Sequence, residues 1–111
     1  MSGSNFNITT KKAVTDDTER SVLSGVDVDF ETDHIKTKTL SSNTTLTFSN
    51  PVLGKTVLLE IDSAVAETLT LPATATVLDG SYDTSGKVNT IFILCNDSVT
   101  PEYLIIIKQK P

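Results

Sequence analysis

The sequence predicts an all-β protein: an antiparallel β-sandwich or barrel-like module that follows an extended, mostly irregular N-terminal arm. Only 5% of the 111 residues are aromatic and tryptophan is absent, so Val, Ile and Leu must supply most of the core. Polar and apolar residues alternate along short segments from Val26 onward, and turn-forming residues separate these segments. Nothing between them is long or periodic enough for a helix. The length fits a single module, predicted at residues 26–111.

Residues 1–25 form the predicted arm. They are polar, carry mixed charge and hold few apolar residues, which is typical of a segment with weak intrinsic order. A Thr or Asp at positions 15–17 can cap a short helix that runs through Leu23 and ends at Gly25. We expect the arm to order on docking to another protein. The apolar residues expected to dock it are Phe6, Ile8, Val14, Val22 and Leu23.

The module is predicted to be a succession of short strands. In VDVDFETDHIK, Val26, Val28 and Phe30 alternate with acidic residues, which indicates a strand with one wet face. The later strands are predicted at 35–40, 44–48, 56–61, 67–71, 75–78, 88–95 and 103–109. The turns between them contain SSN, NPVLG, DG, SG and the stretch from Asn96 to Pro101.

The last two predicted strands are apolar on both faces. In NTIFILC, Phe92 and Leu94 point one way, while Ile91, Ile93 and Cys95 point the other way. A small antiparallel sheet normally keeps one wet face, so these strands lie either in a covered core or at a subunit interface. We expect an interface, with ordinary core as the other interpretation. The expected interface residues are Ile91, Ile93, Tyr103, Leu104 and Ile106.

Charge and hydropathy indicate the class of partner. The net charge of -5 and the pI of about 4.6 disfavour binding to nucleic acid or to an anionic membrane, because there is no basic field. The N-terminus has no apolar leader, and no apolar run approaches the ~20 residues that span a bilayer. We therefore expect synthesis in a cytoplasm, no membrane contact, and proteins or glycans as partners.

The motifs that resemble binding sites are incomplete. Gly54-Lys55-Thr56 resembles part of a phosphate-binding loop, but Ser49 stands where that loop needs a glycine, and TVLLEI continues as a strand. The acidic alternation from Asp27 to Asp33 does not fit a calcium-binding EF-hand loop, which needs a glycine where Thr32 stands. The DGSYDTSGK segment also fails, because Thr90 stands where the loop needs a glutamate, and it fits a polar turn. We expect neither a metal nor a cofactor.

No catalytic constellation is visible either. Cys95 lies in IFILC and is expected to be a small buried hydrophobe, because a reactive thiol needs a nearby base. The single histidine, His34, is expected at the surface or an interface, and no serine lies in a glycine-flanked nucleophile turn. We therefore expect a protein without catalytic activity.

Residues 30–109 resemble a family of small β-rich modules that occur in bacteriophage tail and fibre structural proteins. The resemblance lies in KTLSSNTTLTFSNPVLGKTVLLEI, TLTLPATATVLDGSYD, NTIFILCND and the terminal YLIIIKQ. Its most specific part runs from Leu40 to Thr56, where strand, Asn-Thr turn, strand, Asn-Pro loop and Gly-Lys-Thr return follow the order of the family. The chain departs from the family at Val77-Leu78, where many members have a tryptophan.

The resemblance implies a virion structural protein, made in the cytoplasm of a bacterial host. It implies a head or tail fibre, a spike base or a capsid decoration protein, and no catalytic residue. Fibres and spikes commonly repeat such modules around a symmetry axis, so we expect a homotrimer that docks to another virion protein. The alternative is a receptor-binding or carbohydrate-binding module at a fibre tip, with a host-surface glycan as ligand.

Overall fold

The computed structural model describes residues 20–111, and within this range the fold is all-β with no helix. Every segment predicted as a strand from residue 35 onward overlaps an observed strand, and the segment 44–48 is divided at Leu46. The strands are β1 Ser21–Val22, β2 Asp27–Asp29, β3 Ile35–Leu40, β4 Thr44–Thr45, β5 Thr47–Ser49, β6 Thr56–Ser63, β7 Leu69–Thr70, β8 Ala75–Asp79, β9 Asn89–Asp97 and β10 Glu102–Gln109.

The pairing of these strands differs from the prediction. Six strands form one sheet in the order β1-β3-β6-β9-β10-β8, and two small sheets pair β2 with β5 and β4 with β7. Only β9 is antiparallel to its neighbours, and every other pair is parallel. Successive passes of the chain therefore stack in the manner of a short β-solenoid. The expected antiparallel sandwich or barrel is wrong.

Connection length explains the parallel pairing. Residues 41–55 join β3 to β6, and a parallel crossover needs about a dozen residues or more. This connection contains two very short strands, β4 and β5, where many parallel sheets have a helix. By contrast, residues 98–101 join β9 to β10, and so short a connection allows only an antiparallel hairpin.

The core lies on one face of the six-stranded sheet, which we call the inner face. The small sheets and their loops contribute Val28, Phe30 and Leu46 to it, each fully buried. The rings of Phe30, Phe48 and Tyr103 pack together with centroids 4.7 to 5.8 Å apart. The buried hydrophobic residues of the six-stranded sheet are Leu40, Val57, Leu59, Ile61, Ile91, Ile93, Cys95, Tyr103, Ile105 and Ile107.

A buried asparagine fixes the loop between β8 and β9. The Asn89 side chain is 0% exposed, and its Oδ1 accepts hydrogen bonds from the Asp83 backbone N–H (2.7 Å) and from Gln109 Nε2 (2.7 Å). Its Nδ2 donates to the carbonyls of Ile61, Asp83 and Lys87 at 3.0 to 3.2 Å. The polar groups of this buried amide are therefore paired, as burial requires.

Gly80 directly follows β8, at a position that only glycine can occupy without a clash. Its φ is +85°, and a Cβ at this position would lie 1.8 Å from the carbonyl oxygen of Ile107. Gly86 also has a positive φ, +92°, but nothing lies within 4 Å of its Cβ position. The Asp79-Gly80 turn was predicted from sequence, whereas the close approach to β10 was not.

The beginning of the described chain is part of the sheet. Ser21 pairs with Lys36 and Val22 with Thr37, so the predicted helix that runs through Leu23 is wrong at its C-terminal end. Its expected cap at positions 15–17 lies outside the described residues. No helix in the described range is long and apolar enough to cross a membrane.

Candidate interaction surface on the six-stranded sheet

An apolar row crosses the face of the sheet that points away from the core, which we call the outer face. Side chains alternate along a strand, so residues between the buried ones point outward. The register places Ile35 of β3 beside Leu58 of β6, and Leu58 beside Phe92 of β9. Phe92 in turn lies beside Ile106 of β10. Four adjacent strands thus each contribute one apolar side chain to the row.

A second, shorter row lies beside the first. Leu94 of β9 pairs with Leu104 of β10, with Thr56 and Thr76 at the two ends. Phe92 is 43% exposed, and the other apolar members are half-buried or, for Ile106, 38% exposed. We use the name outer patch for Ile35, Leu58, Phe92, Leu94, Leu104 and Ile106. Contiguous apolar surface of this kind is typical of interaction sites.

Charged residues border the outer patch. Glu60, one outward position along β6 from Leu58, has a side chain only 8% exposed. It forms ion pairs with Arg20 (2.5 Å) and Lys110 (2.6 Å), so the carboxylate is compensated despite its burial. Lys108 pairs with Asp79 at 2.8 Å, and this hydrogen bond lowers the pKa of Asp79 below its ordinary value.

A polar groove of about 510 Å³ adjoins this border. Thr39 Oγ1 donates a hydrogen bond of 2.7 Å to Asp62 on the groove wall. The lining residues within the described range offer hydroxyl, carboxylate and cationic groups but no aromatic ring. Its polar lining residues are Arg20, Thr37, Lys38, Thr39, Glu60, Asp62 and Lys110.

The five residues expected at a subunit interface lie on opposite faces of the sheet. Ile91, Ile93 and Tyr103 are 0 to 1% exposed within a single chain, so they belong to its core and have no surface to offer a partner. Leu104 and Ile106 point outward and belong to the outer patch. The opposite directions predicted for alternate residues of β9 are confirmed. An interface at Leu104 and Ile106 stays a prediction.

The expected docking arm is described only at its end. Phe6, Ile8 and Val14 lie outside the described residues. Val22 is 69% exposed in β1, whereas Leu23 is 6% exposed and packs into the core. Leu23 therefore anchors the arm to its own module, and of these two described residues Val22 alone is open to another protein.

The Gly-Lys-Thr segment is a turn followed by a strand, as predicted. Gly54 has a φ of +82°, and its N–H donates to the Cys95 carbonyl at 2.8 Å. Lys55 Nζ donates to the carbonyl of Phe30 at 2.8 Å, so its ammonium group ties the strand to the loop after β2. Thr56 then begins β6.

The acidic alternation of β2 is used in local hydrogen bonds. Asp27 accepts from Thr47 Oγ1 (2.8 Å) and Ser49 Oγ (2.5 Å), which links β2 to β5. Asp29 accepts from Asn50 Nδ2 at 3.0 Å, and this bond lowers the pKa of Asp29. Among residues 20–111, no three side chains of the types that bind metals are grouped to hold an ion.

The two candidate catalytic residues have no shared site. Cys95 is 0% exposed and its Sγ contacts the carbonyl of Asp97 at 3.6 Å, which confirms that it is buried. His34 is exposed, which fits the expected place at the surface or an interface. Neither residue lines the polar groove.

Four of the six members of the outer patch were not predicted as interface residues, although the pattern of apolar residues in the sequence indicated some of them. Phe92 and Leu94 were assigned to one face of β9 but not chosen as interface residues. TVLLEI is apolar at consecutive positions, so Leu58 points to one face of the strand while the buried Val57 and Leu59 point to the other face. Ile35 is recognisable only once its pairing with Leu58 is known.

Comparison with known proteins adds no relationship to this geometry. No protein-family model matches the chain, and neither the curated proteins nor the solved structures gave a significant match.

Proposed function

We propose that this chain is a noncatalytic structural protein of a bacteriophage virion, which assembles as a homotrimer through its outer patch. The observation that carries the proposal is the apolar row across four strands on the surface of a single chain. The place in the virion would be a head or tail fibre, a spike base or a capsid decoration. Residues 1–25 would attach the assembly to another virion protein.

Burial of the outer patch by a second chain is energetically favourable. Full burial of a large apolar side chain contributes about 1.5 to 3 kcal/mol. Phe92 and Ile106 are already more than half buried, so each would add about 1 kcal/mol per copy. No member of the outer patch is charged, so the net charge of -5 does not place like charges in direct contact there.

A closed ring of three copies suits this surface. Heterologous contacts close into a ring when the rotation between copies permits it, and each copy then turns the same face toward the axis. In such a trimer the outer patch would face the axis, and the polar loops would face the solvent. The order of segments from Leu40 to Thr56, which resembles that of phage tail and fibre modules, supports the virion setting.

The decisive test is the solution mass of a charged variant of the outer patch. We expect the wild-type chain to have about three times the protomer mass of 11.9 kDa in light scattering. Phe92→Asp places a carboxylate in the middle of the apolar row, where burial without a partner charge is unfavourable. We expect this variant to be a monomer with an unchanged β-rich circular dichroism spectrum.

Leu53→Asp is the matched control. Leu53 is 67% exposed and lies in the turn before β6, outside the outer patch. Leu53→Asp therefore adds the same charge as Phe92→Asp at a different place on the surface. We expect Leu53→Asp to keep the wild-type mass. A monomeric wild-type chain, or two variants with equal masses, would contradict assembly through the outer patch.

The polar groove favours a second candidate function, binding of a host-surface glycan. Its hydroxyl, carboxylate and ammonium groups can form hydrogen bonds with sugar hydroxyls. This candidate is tested with an array of bacterial surface oligosaccharides, with Asp62→Ala as the groove variant and Asp83→Ala as the control outside the groove. Binding that is lost only in Asp62→Ala would support it, and absence of binding by the wild-type chain would exclude it for those sugars.

A further inference from the structure

The first strand of the described chain is held to the sheet by few contacts. β1 contains two residues, both exposed, and lies at the edge of the sheet against β3. Val22 in β1 is 69% exposed. Leu23, which follows β1, is buried, with 6% exposure. Detachment of β1 together with Leu23 therefore uncovers about one buried apolar side chain.

The polar contacts of this segment all reach across to other strands. Arg20 pairs with Glu60 of β6, Lys36 Nζ donates to Ser21 Oγ at 2.8 Å, and Lys38 Nζ donates to the Leu23 carbonyl at 3.2 Å. None of these bonds depends on β1 and β3 being in the same chain. The same segment from another copy would form each of them with equal geometry.

A short exposed connection separates this segment from the rest of the module. Ser24 and Gly25 are exposed, and a Cβ on Gly25 would meet no atom within 4 Å. The chain is fixed again where the Thr47 N–H donates to the Val26 carbonyl at 3.0 Å. An exposed connection of two residues can act as the hinge about which an element is exchanged between copies.

The position of β1 places it next to the proposed contact between copies. Arg20 reaches Glu60, and Glu60 is the outward neighbour of Leu58 in the outer patch. Exchange requires that a copy packed against the outer patch has its own β3 edge within reach of this segment. The exchanged strand and the apolar contact would form one continuous interface.

We propose that residues 20–23 are exchanged between copies, so that β1 of one chain completes the sheet of a neighbour by pairing with its β3. This inference rests on the proposed assembly and states how its copies are linked. The occupant of the β3 edge is a second copy of this chain. Exchange keeps every contact of β1 and adds the connection between chains.

A disulfide between β1 and β3 reports which chain supplies the strand. Val22 and Thr37 are paired neighbours on adjacent strands, a spacing of about 4.8 Å that a disulfide can bridge. Val22→Cys/Thr37→Cys protein is prepared with natural and with ¹⁵N isotope content, and the two are mixed, unfolded, refolded together and oxidised. Mass spectrometry then counts linked peptides that join one labelled and one unlabelled chain.

Exchange predicts that about half of the linked peptides are mixed, because neighbours are drawn at random from the two pools. Thr39→Cys/Asp62→Cys is the control, since these paired residues both lie in the body of the sheet and must link within one chain. Mixed peptides near zero in both variants would overturn the exchange. Light scattering of the wild-type chain separates the two proposals: a trimer without mixed peptides would retain the assembly and reject the exchange, and a monomer would reject both.

Discussion

The inner and outer faces of the six-stranded sheet have similar chemistry but different surroundings. On β9, Ile93 is 0% exposed among core side chains, while its neighbour Phe92 is 43% exposed on the other face. On β10, Ile105 and Ile106 differ in the same way, at 0% and 38% exposure. The contrast shows that apolar character on a strand does not reveal which face is the core. The outer face is therefore the surface that we propose a partner covers.

The largest expected effect comes from truncation of the inner face. Ile93→Ala removes buried methyl groups from a packed core, and we expect it to lower the free energy of unfolding by about 2 to 5 kcal/mol. Phe92→Ala should lower it by less than about 1 kcal/mol in the isolated chain, because no segment within residues 20–111 packs above the outer face. Urea unfolding of both variants, at concentrations below assembly, measures the difference. Equal losses would show that the two faces are equally packed.

A smaller effect is expected where the β8 edge approaches β10. Gly80→Ala adds a Cβ against the backbone of Ile107 and strains a positive φ, so we expect a loss of about 3 kcal/mol in the free energy of unfolding. Gly86→Ala strains a similar φ in open space, so its loss should be about 1 kcal/mol. Thermal unfolding followed by circular dichroism compares the two. Similar losses for the two variants would mean that the strained φ alone sets the loss of stability. The backbone at the edge of the sheet would then have moved to make room for the new Cβ.

The smallest expected effect concerns the charged border of the outer face. The hydrogen bond from Lys108 lowers the pKa of Asp79 below 3.8, so the ion pair stabilises the folded chain above that pH. This contribution is lost as the pH falls through the folded-state pKa. We expect Asp79→Asn to be slightly less stable than the wild-type chain at pH 6, with the difference decreasing as the pH falls below 3.8. A difference that does not change with pH would exclude the ion pair as its cause.

Much of the strand pattern could be predicted from the sequence. The segment IKTKTL forms β3 with the predicted bounds, and NTIFILC forms most of β9 with the predicted alternation. These strands contain six or more residues, which is long enough for β-branched and apolar residues between turn residues to indicate a strand. By contrast, β1, β4 and β7 contain two residues each, which is too short to show any period.

The pairing could not be predicted, because it depends on contacts between distant parts of the chain. Ser21 pairs with Lys36, 15 positions later, and Lys36 pairs with Leu59, 23 positions later. In a solenoid-like stack whose successive turns differ in length, the sequence shows no regular repeat. The same dependence on distant contacts explains why Ile91, Ile93 and Tyr103 were expected at an interface but lie in the core of the chain. Alternation along a strand assigns residues to two faces, but it does not indicate which face the small sheets cover.

The central claim is that the outer patch is covered by another copy, and its most direct test is the accessibility of residue 92. A thiol placed there by Phe92→Cys is labelled with a maleimide at high and at low protein concentration, with Leu53→Cys as the exposed control and wild-type Cys95 as the buried background. The account predicts that residue 92 is protected at high concentration and reactive on dilution, while residue 53 reacts equally at both. Equal reactivity of residue 92 at both concentrations would contradict it.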